Sequence, residues 1–408
     1  MSEVPARVLY CEGNADGTVG GSYFCLLYLV KGLDRSRYEP MVVFQNEHSL
    51  LPEFHEAGIR TVIWPKPTSF TFGDRLSARP GVPRFIQTAG LAIQRVLNFF
   101  RKFVFTALAR TWFLRREGVQ IVHLNNTIQY NHDWMLAARL AHLKCVVHER
   151  GINVSFSAAA KYFAKRLDAV ICISNAVRQN MHDRGVDYGN LLTIYDGMDP
   201  DAKELHTTPD ALRGVYGIQP GAPIVGMVGN IKEWKGQHTV IRAIDRVRKL
   251  FPAVRCVLVG DTGPEHMEYE RGLRDLVRSL GLDQHIIFAG FQKHVADHLM
   301  MFDVVIHASV SPEPFGMVIL EAMARRKPII GARSGAIPEI IEEGRTGLTF
   351  PPGDWEQLAD AIVTLLSDSA MAQSLGRNGF DRLVKEFHIS RNVESVQQLY
   401  QRVLNEAS

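Results

Sequence analysis

The chain alternates short apolar runs with longer stretches of helical character. In the first half the runs are Arg7–Tyr10, Met41–Phe44, Thr61–Trp64, Ile121–Leu124, Cys145–His148, Ala169–Ile173 and Leu192–Tyr195. In the second half they are Ile224–Val228, Arg255–Val259, Ile286–Ala289, Val304–His307 and Pro328–Gly331. They are rich in β-branched residues and apolar at consecutive positions, which predicts parallel strands covered by helices on both faces. So many strands exceed one compact doubly wound unit, and the pattern predicts an α/β chain of two doubly wound domains of similar size. The polar, Pro- and Gly-rich stretch that begins at Asp196 and runs to Pro223 precedes a fresh strand and marks the change. We therefore expect a first domain over 1–200 and a second from 201. In such a chain the ligand belongs in the cleft between domains, at the C-terminal ends of the strands.

One stretch breaks the pattern. Between Asp74 and Glu117 no acidic residue occurs, while Arg75, Arg79, Arg84, Arg95, Arg101, Lys102, Arg110, Arg115 and Arg116 are interleaved with Phe85, Ile86, Ile93, Phe99, Phe100, Phe103, Phe105 and Trp112. A basic, aromatic, amphipathic segment of this kind lies in a membrane interface with its apolar side among acyl chains. The competing expectation is a core helix with a solvated cationic rim.

Composition narrows the classes. At 408 residues, 46% apolar and 22% charged, the chain is ordinary globular protein. A net charge of +3 makes no case for nucleic acid as a partner. Cys11, Cys25, Cys145, Cys172 and Cys256 are scattered with no CxxC pair, as expected of buried reduced thiols rather than a disulfide or zinc framework. The N-terminal stretch shows no basic leader followed by an apolar core, and no run is long and apolar enough to span a bilayer. These features point to the cytoplasm, with the basic segment allowing peripheral contact at the inner face of an anionic plasma membrane.

The segment Ser309–Ala324 (SVSPEPFGMVILEAMA) carries the most chemistry. It follows a strand, passes through a Pro-rich turn and is expected to open a helix near Phe315, with Glu313 in the turn and Glu321 about two turns along. The free N–H groups of Phe315, Gly316 and Met317 would suit anionic or hydroxyl oxygens. Two carboxylates flanking such a cradle suit a polyhydroxylated ligand that bears phosphate. Asp199-Pro200-Asp201 mimics a DxD metal motif but sits in the linker, where it reads as turn chemistry. No spacing of His, Cys or Asp suggests a metal.

The Glu313/Glu321 pair stands in an E-x7-E arrangement, and this segment resembles the retaining, nucleotide-sugar-dependent glycosyltransferases of the GT-B fold, the group called family 4. Further motifs match in order. GNIKEWKGQ (Gly229–Gln237) resembles the family's phosphate-binding segment with Lys235 on its lysine, and LVGDTGPE (Leu258–Glu265) its Gly-Asp-Gly-Pro loop. IIFAGF (Ile286–Phe291) precedes the base-binding loop, and SGAIPEII and GRTGLTFPPGD complete the second domain. GTVGGS (Gly17–Ser22) resembles the glycine loop after the first strand, and YDGMD (Tyr195–Asp199) the hinge.

The resemblance implies two Rossmann-like domains facing a central cleft, 1–200 on the acceptor side and 201–385 binding the nucleotide sugar, with a last helix in 386–408 crossing back to the first. It implies transfer of a sugar from a UDP-, GDP- or ADP-linked donor to a hydroxyl of a glycan or lipid-linked acceptor, with no metal or other cofactor. It assigns Glu321 to the ribose hydroxyls, Glu313 and the amides of Phe315, Gly316 and Met317 to the transferred sugar, and Lys235 to the diphosphate. Gly229 and Asn230 flank the phosphates, Gly20 and Gly21 permit close approach from the first domain, and Gln292 lies at the base. His148, in VVHERG, stands near the transferred sugar and acceptor, where it would hydrogen-bond a hydroxyl or shuttle a proton. The chain departs from the pattern at Asn230, where many relatives carry arginine, and at Asp196, where the hinge usually begins with asparagine. Two other readings of the same motifs are an epimerase or hydrolase of the same fold, which would need no second sugar, and a catalytically silent sugar-nucleotide-binding subunit.

Overall fold

The computed structural model describes residues 4–13, 19–201 and 205–406. Gly17 and Thr18, the start of the first glycine loop, lie outside the described residues. The described chain divides into two compact units. The first runs to Ile173, resumes over Arg178–Ile194 and takes in the chain from Val393 onward; the second holds Ser174–Val177 and Tyr195–Asn392. The divisions expected at 200/201 and 385/386 thus fall at 194/195 and 392/393.

The first unit is built on a seven-stranded sheet, β1 (Ala6–Glu12), β2 (Tyr38–Phe44), β3 (Arg60–Ile63), β4 (Ile121–Asn125), β5 (Lys144–Glu149), β6 (Ala169–Cys172) and β7 (Leu191–Thr193). The strands pair in parallel in the order β3-β2-β1-β4-β5-β6-β7. The second unit holds β8 (Ile224–Val228), β9 (Arg255–Val259), β10 (Ile286–Gly290), β11 (Val304–His307), β12 (Ile329–Ala332) and β13 (Leu348–Phe350) in the parallel order β10-β9-β8-β11-β12-β13. Consecutive apolar residues disappear on both faces of a central strand, as with Val8, Leu9, Tyr10 and Cys11 on β1. The edge strand β13 was not predicted. Three residues between Gly347 and Pro351 are too short a run to stand out, and burial of Phe350 and pairing with β12 hold it in place.

In each sheet the chain builds outward on one side and then returns to the other side of its first strand. That reversal places a topological switch point between β1 and β4 in the first unit and between β8 and β11 in the second. At such points diverging loops leave a crevice at the C-terminal strand ends, where ligands bind open α/β sheets.

The 75–116 stretch forms a helical hairpin. The helix Phe72–Ser77 packs on the helix Arg84–Phe99, which continues through a wide π turn, Phe100–Val104, into the helix Phe105–Arg116. The latter half behaves as core, with Ala107, Thr111 and Leu114 buried. Arg110, expected among the exposed cations, is interior. It pairs with Asp133 and lies over the Trp134 ring at 4.3 Å. The first half is turned inside out. The helix Arg84–Phe99 buries only Gly90 and Gln94, whose side-chain oxygen accepts the Gly73 N–H at 2.6 Å. Phe85 (74% exposed), Ile93, Val96 and Phe99 (each just over half exposed) face outward. Among the described residues no helix is long and apolar enough to cross a membrane.

Candidate active site

At the second switch point the loop after β8 meets the loop after β11. A single 3-10 turn, Glu233–Lys235, is closed by Gly236 at φ 78°, where a Cβ would overlap the Ala308 carbonyl oxygen. Only glycine combines that left-handed backbone with that close approach. The Val310 N–H donates to the Trp234 carbonyl at 2.8 Å, locking the two loops together. Lys235 is thereby carried to Glu313, Nζ to Oε2 at 2.8 Å, with its ammonium 4.0 Å from the centre of the Trp234 ring.

Glu313 is the focus of this cluster. Its Oε2 also accepts from His307 Nε2 at 3.0 Å and from Ser309 Oγ at 2.8 Å. The three donors converge on one oxygen and leave Oε1 with no hydrogen bond among the described residues. Burial would push this carboxyl up, but the hydrogen bond from His307 and the Lys235 charge override it and hold it well below the usual carboxylate range. The carboxylate is therefore charged and braced, with one oxygen available to a ligand hydroxyl. Its backbone is fixed as well, since its carbonyl accepts the Ala336 N–H at 2.9 Å. His307 and Ser309 were not predicted. The signal for both was a buried strand ending in His-x-Ser just ahead of the carboxylate loop.

The helix beyond begins at Met317, after Gly316 at φ 94°. The expected start near Phe315 is therefore early by two residues, and Glu321 stands little more than one turn along rather than two. Gly316 and Met317 supply the cap and the first helical amide. The Phe315 side chain is buried against Tyr195 and Phe387, so the ring is packing. Glu321 is partly exposed on this helix.

The loops after β8, β9 and β10 are joined side by side. Gly229 N–H donates to Val259 O at 2.8 Å, and Gly260 N–H to Gly290 O at 2.9 Å. Asn230 is exposed, with its carbonyl accepting from Gln237 at 3.0 Å, and Gln292 folds back to donate to Ala289 O at 2.7 Å. In the linker, Asp199 accepts the Asp201 N–H at 2.9 Å as an ordinary Asx turn. Among the described residues no group of three His, Cys, Asp or Glu side chains is placed to hold a metal.

The predicted residues of the first unit gather at its own strand ends. Gly20 caps the helix Gly21–Gly32, and a Cβ at Gly20 or Gly21 would meet no atom of the described residues within 4 Å, so their packing alone does not demand glycine there. At the β1/β4 switch point buried Glu12 accepts from Asn125 at 2.6 Å and from Asn126, and Arg150 donates to Asn125 Oδ1 at 2.8 Å. His148 is fully buried. Its Nδ1 bonds His123 Nε2 at 2.7 Å, and its Nε2 has no partner among the described residues. Neighbouring Glu149 accepts from Thr127 Oγ1 at 2.8 Å and Ile128 N at 2.9 Å, so it braces the loop after β4.

Comparison with known proteins agrees with this arrangement. Residues 210–382 match the model for glycosyl transferases group 1, and residues 19–202 that for glycosyltransferase family 4. Over 72% of this chain and 77% of the relative, the sequence is 27% identical to the N-acetyl-alpha-D-glucosaminyl L-malate synthase of Bacillus anthracis. It is 24% identical to the lipopolysaccharide core biosynthesis mannosyltransferase LpsB of Rhizobium meliloti, over 60% of this chain and 68% of that one. In fold it is similar to Anabaena Alr3699/HepE, solved in complex with UDP, at a TM-score of 0.78 and 23% identity over 97% of this chain and all of the other. Two sheets of this order with their motifs at the switch points, and two family models that between them take in nearly the whole chain, lead to one conclusion: the protein is a GT-B glycosyltransferase and belongs to the group 1, family 4 type.

Proposed function

We propose that the enzyme takes its sugar from a nucleoside diphosphate sugar and transfers it, with retention of anomeric configuration, to a hydroxyl of a lipid-linked or cell-surface glycan. The observation that carries this reading is the Lys235–Glu313–His307–Ser309 cluster at the β8/β11 switch point. Breaking the anomeric C–O bond builds negative charge on the departing diphosphate and positive character on the sugar. Lys235 answers the first, as a flexible point charge already held at the crevice by Glu313. Glu313 answers the second, and its Oε1 is open to accept a sugar hydroxyl. Glu321 would accept from the ribose diol, while Gly316 and Met317 orient the sugar through their amides. Gly229, Asn230 and Gln292 line the phosphate and base side, and the open ground over Gly20 and Gly21 admits close approach. The departing phosphate itself removes the proton of the acceptor hydroxyl in a front-face displacement, and His148 holds a substrate oxygen. No metal is needed in this scheme. That the HepE structure holds UDP makes UDP-linked sugars the first donors to test, with GDP- and ADP-sugars beside them.

The test is release of nucleoside diphosphate from a panel of these donors, with the anomeric configuration of the product read by NMR. A product of inverted configuration refutes retention. A recovered nucleotide sugar with altered hydroxyl stereochemistry would show an epimerase instead.

The acceptor class rests on a second observation, the outward-facing apolar side of the helix Arg84–Phe99 within a segment that holds no acid. Burying Gln94 while exposing Phe85, Ile86, Ile93, Val96, Leu97 and Phe99 is unfavourable in water and favourable among acyl chains. We propose that this hairpin lies on an anionic membrane, which would present a lipid-linked acceptor to the site. Cosedimentation with vesicles containing anionic phospholipid, against neutral vesicles, decides the matter.

A further inference from the structure

Four side chains in the core of the first unit form one unbranched hydrogen-bonded chain. Tyr10 on β1 meets Tyr400, on the helix Ile389–Asn405, hydroxyl to hydroxyl at 2.7 Å. Tyr400 meets His123 Nδ1 on β4, His123 Nε2 meets His148 Nδ1 on β5 at 2.7 Å, and His148 Nε2 ends the row without a partner among the described residues. All four residues are at most 1% exposed. Sheet register explains the alignment: Tyr10 lies opposite His123, and His123 lies opposite Val146, two residues before His148 on the same face. Burial and the positive charge of Arg150 push His123 down to about 3 and His148 well below its usual value, so both rings are neutral.

A neutral imidazole has one N–H and one bare nitrogen. A row of hydroxyls and neutral imidazoles can therefore be polarised in only two ways. In one, Tyr400 donates to Tyr10, every imidazole proton sits on Nδ1, and the Tyr10 O–H is left with no acceptor deep in the core. A buried donor orphaned there has no remedy. In the other, Tyr10 donates to Tyr400, Tyr400 to His123 Nδ1 and His123 Nε2–H to His148 Nδ1. The one unmatched donor is then His148 Nε2–H, at the C-terminal end of β5, the edge at which such sheets bind ligands.

We propose that Tyr400, through His123, sets His148 as the Nε2–H tautomer, so that His148 serves the reaction as a hydrogen-bond donor to a substrate oxygen and not as a base. Tyr400 and His123 are positioning residues that act through His148. The substrate-contacting role of His148 rests on the function proposed above; the polarity of the row does not. The helix that carries Tyr400 lies 277 residues beyond His123, so the first unit's functional histidine is oriented by a segment distant in sequence.

The test is 15N NMR of the full-length protein labelled at histidine, in which bare and protonated ring nitrogens separate widely. We expect the proton on Nε2 of both His123 and His148. A proton on Nδ1 of either ring in the parent protein overturns the proposal. Tyr10→Phe should leave both tautomers as they are, whereas Tyr400→Phe should shift part of His148 to the Nδ1–H form. If Tyr400→Phe fails to fold, the parent spectrum alone decides. With the donor that turns over in the panel above, Tyr400→Phe should lower kcat about tenfold while KM changes less than twofold, as for one lost hydrogen bond made in the transition state. A His148→Ala enzyme as active as the parent would refute the role of His148 at the substrate while leaving the tautomer result to judge the row.

Discussion

Glu149 offers a quantitative check on the interior of the first unit. Its carboxyl is fully buried, and no cation reaches it among the described residues; its partners are the hydroxyl of Thr127, the amide of Asn153 and the N–H of Ile128. Burial pushes it up to about 7, against the pull of those hydrogen bonds and one from Gly151. In the unfolded chain it titrates near 4.5. Between these values the folded protein keeps a proton that the unfolded chain has lost, so this residue makes stability fall as pH rises from about 4.5 to 7, and level off above. The difference amounts to about 3 kcal/mol. Glu149→Gln cannot ionise and escapes that loss. Its amide NH2 will face Asn153 and carry a cost of its own, but one that does not depend on pH. Urea unfolding of both proteins, followed by tryptophan fluorescence and circular dichroism at steps from pH 4.5 to 8, gives the difference in unfolding free energy. We expect it to move by about 3 kcal/mol in favour of the glutamine variant across that window. Parallel curves, or a movement in favour of the parent, would refute the argument that this carboxylate is paid no compensating charge.

Other expectations follow from the second unit and the hairpin. Lys235→Ala and Glu321→Ala should each cut nucleoside diphosphate release at least tenfold, the loss of about 1.5–3 kcal/mol that removal of a charge-assisted hydrogen bond produces. Gly236→Ala should lose comparable activity although it touches no ligand, because the left-handed turn and the clash with Ala308 displace Lys235; wild-type kinetics would show that Lys235 is not positioned by this turn. Glu313 is held well below the usual carboxylate range, so its contribution to stability is present above about 4.5 and fades only as pH falls toward its low folded value; Glu313→Gln should flatten that acid limb in thermal melts. Arg84→Glu, Arg95→Glu and Lys102→Glu together should abolish cosedimentation with anionic vesicles without changing the melting temperature. Arg110→Glu should instead destabilise the fold, since it would set a second carboxylate, itself buried, beside half-buried Asp133.

The linear order of residues determined a good deal. Strands apolar at consecutive positions announce a sheet covered on both sides whatever the partners, so every strand but β13, and the doubling of the unit, were legible. The placing of Glu313 in a Pro-rich turn and of Glu321 on the helix beyond it was legible from local turn chemistry, whereas Lys235 was singled out only by the resemblance of its loop to the family's phosphate-binding segment. Tertiary structure decided what depends on which surfaces meet. Arg110 looks like its cationic neighbours until Asp133 and Trp134 close over it, and only folding shows that the helix Arg84–Phe99 presents its apolar side outward. His307 and Ser309 acquire meaning from the carboxylate they brace, and Tyr400 from a histidine 277 residues away. Local spacing encodes turns and strand faces, but partners far apart in the chain share no periodicity, and their hydrogen bonds exist only once the sheet register has aligned them.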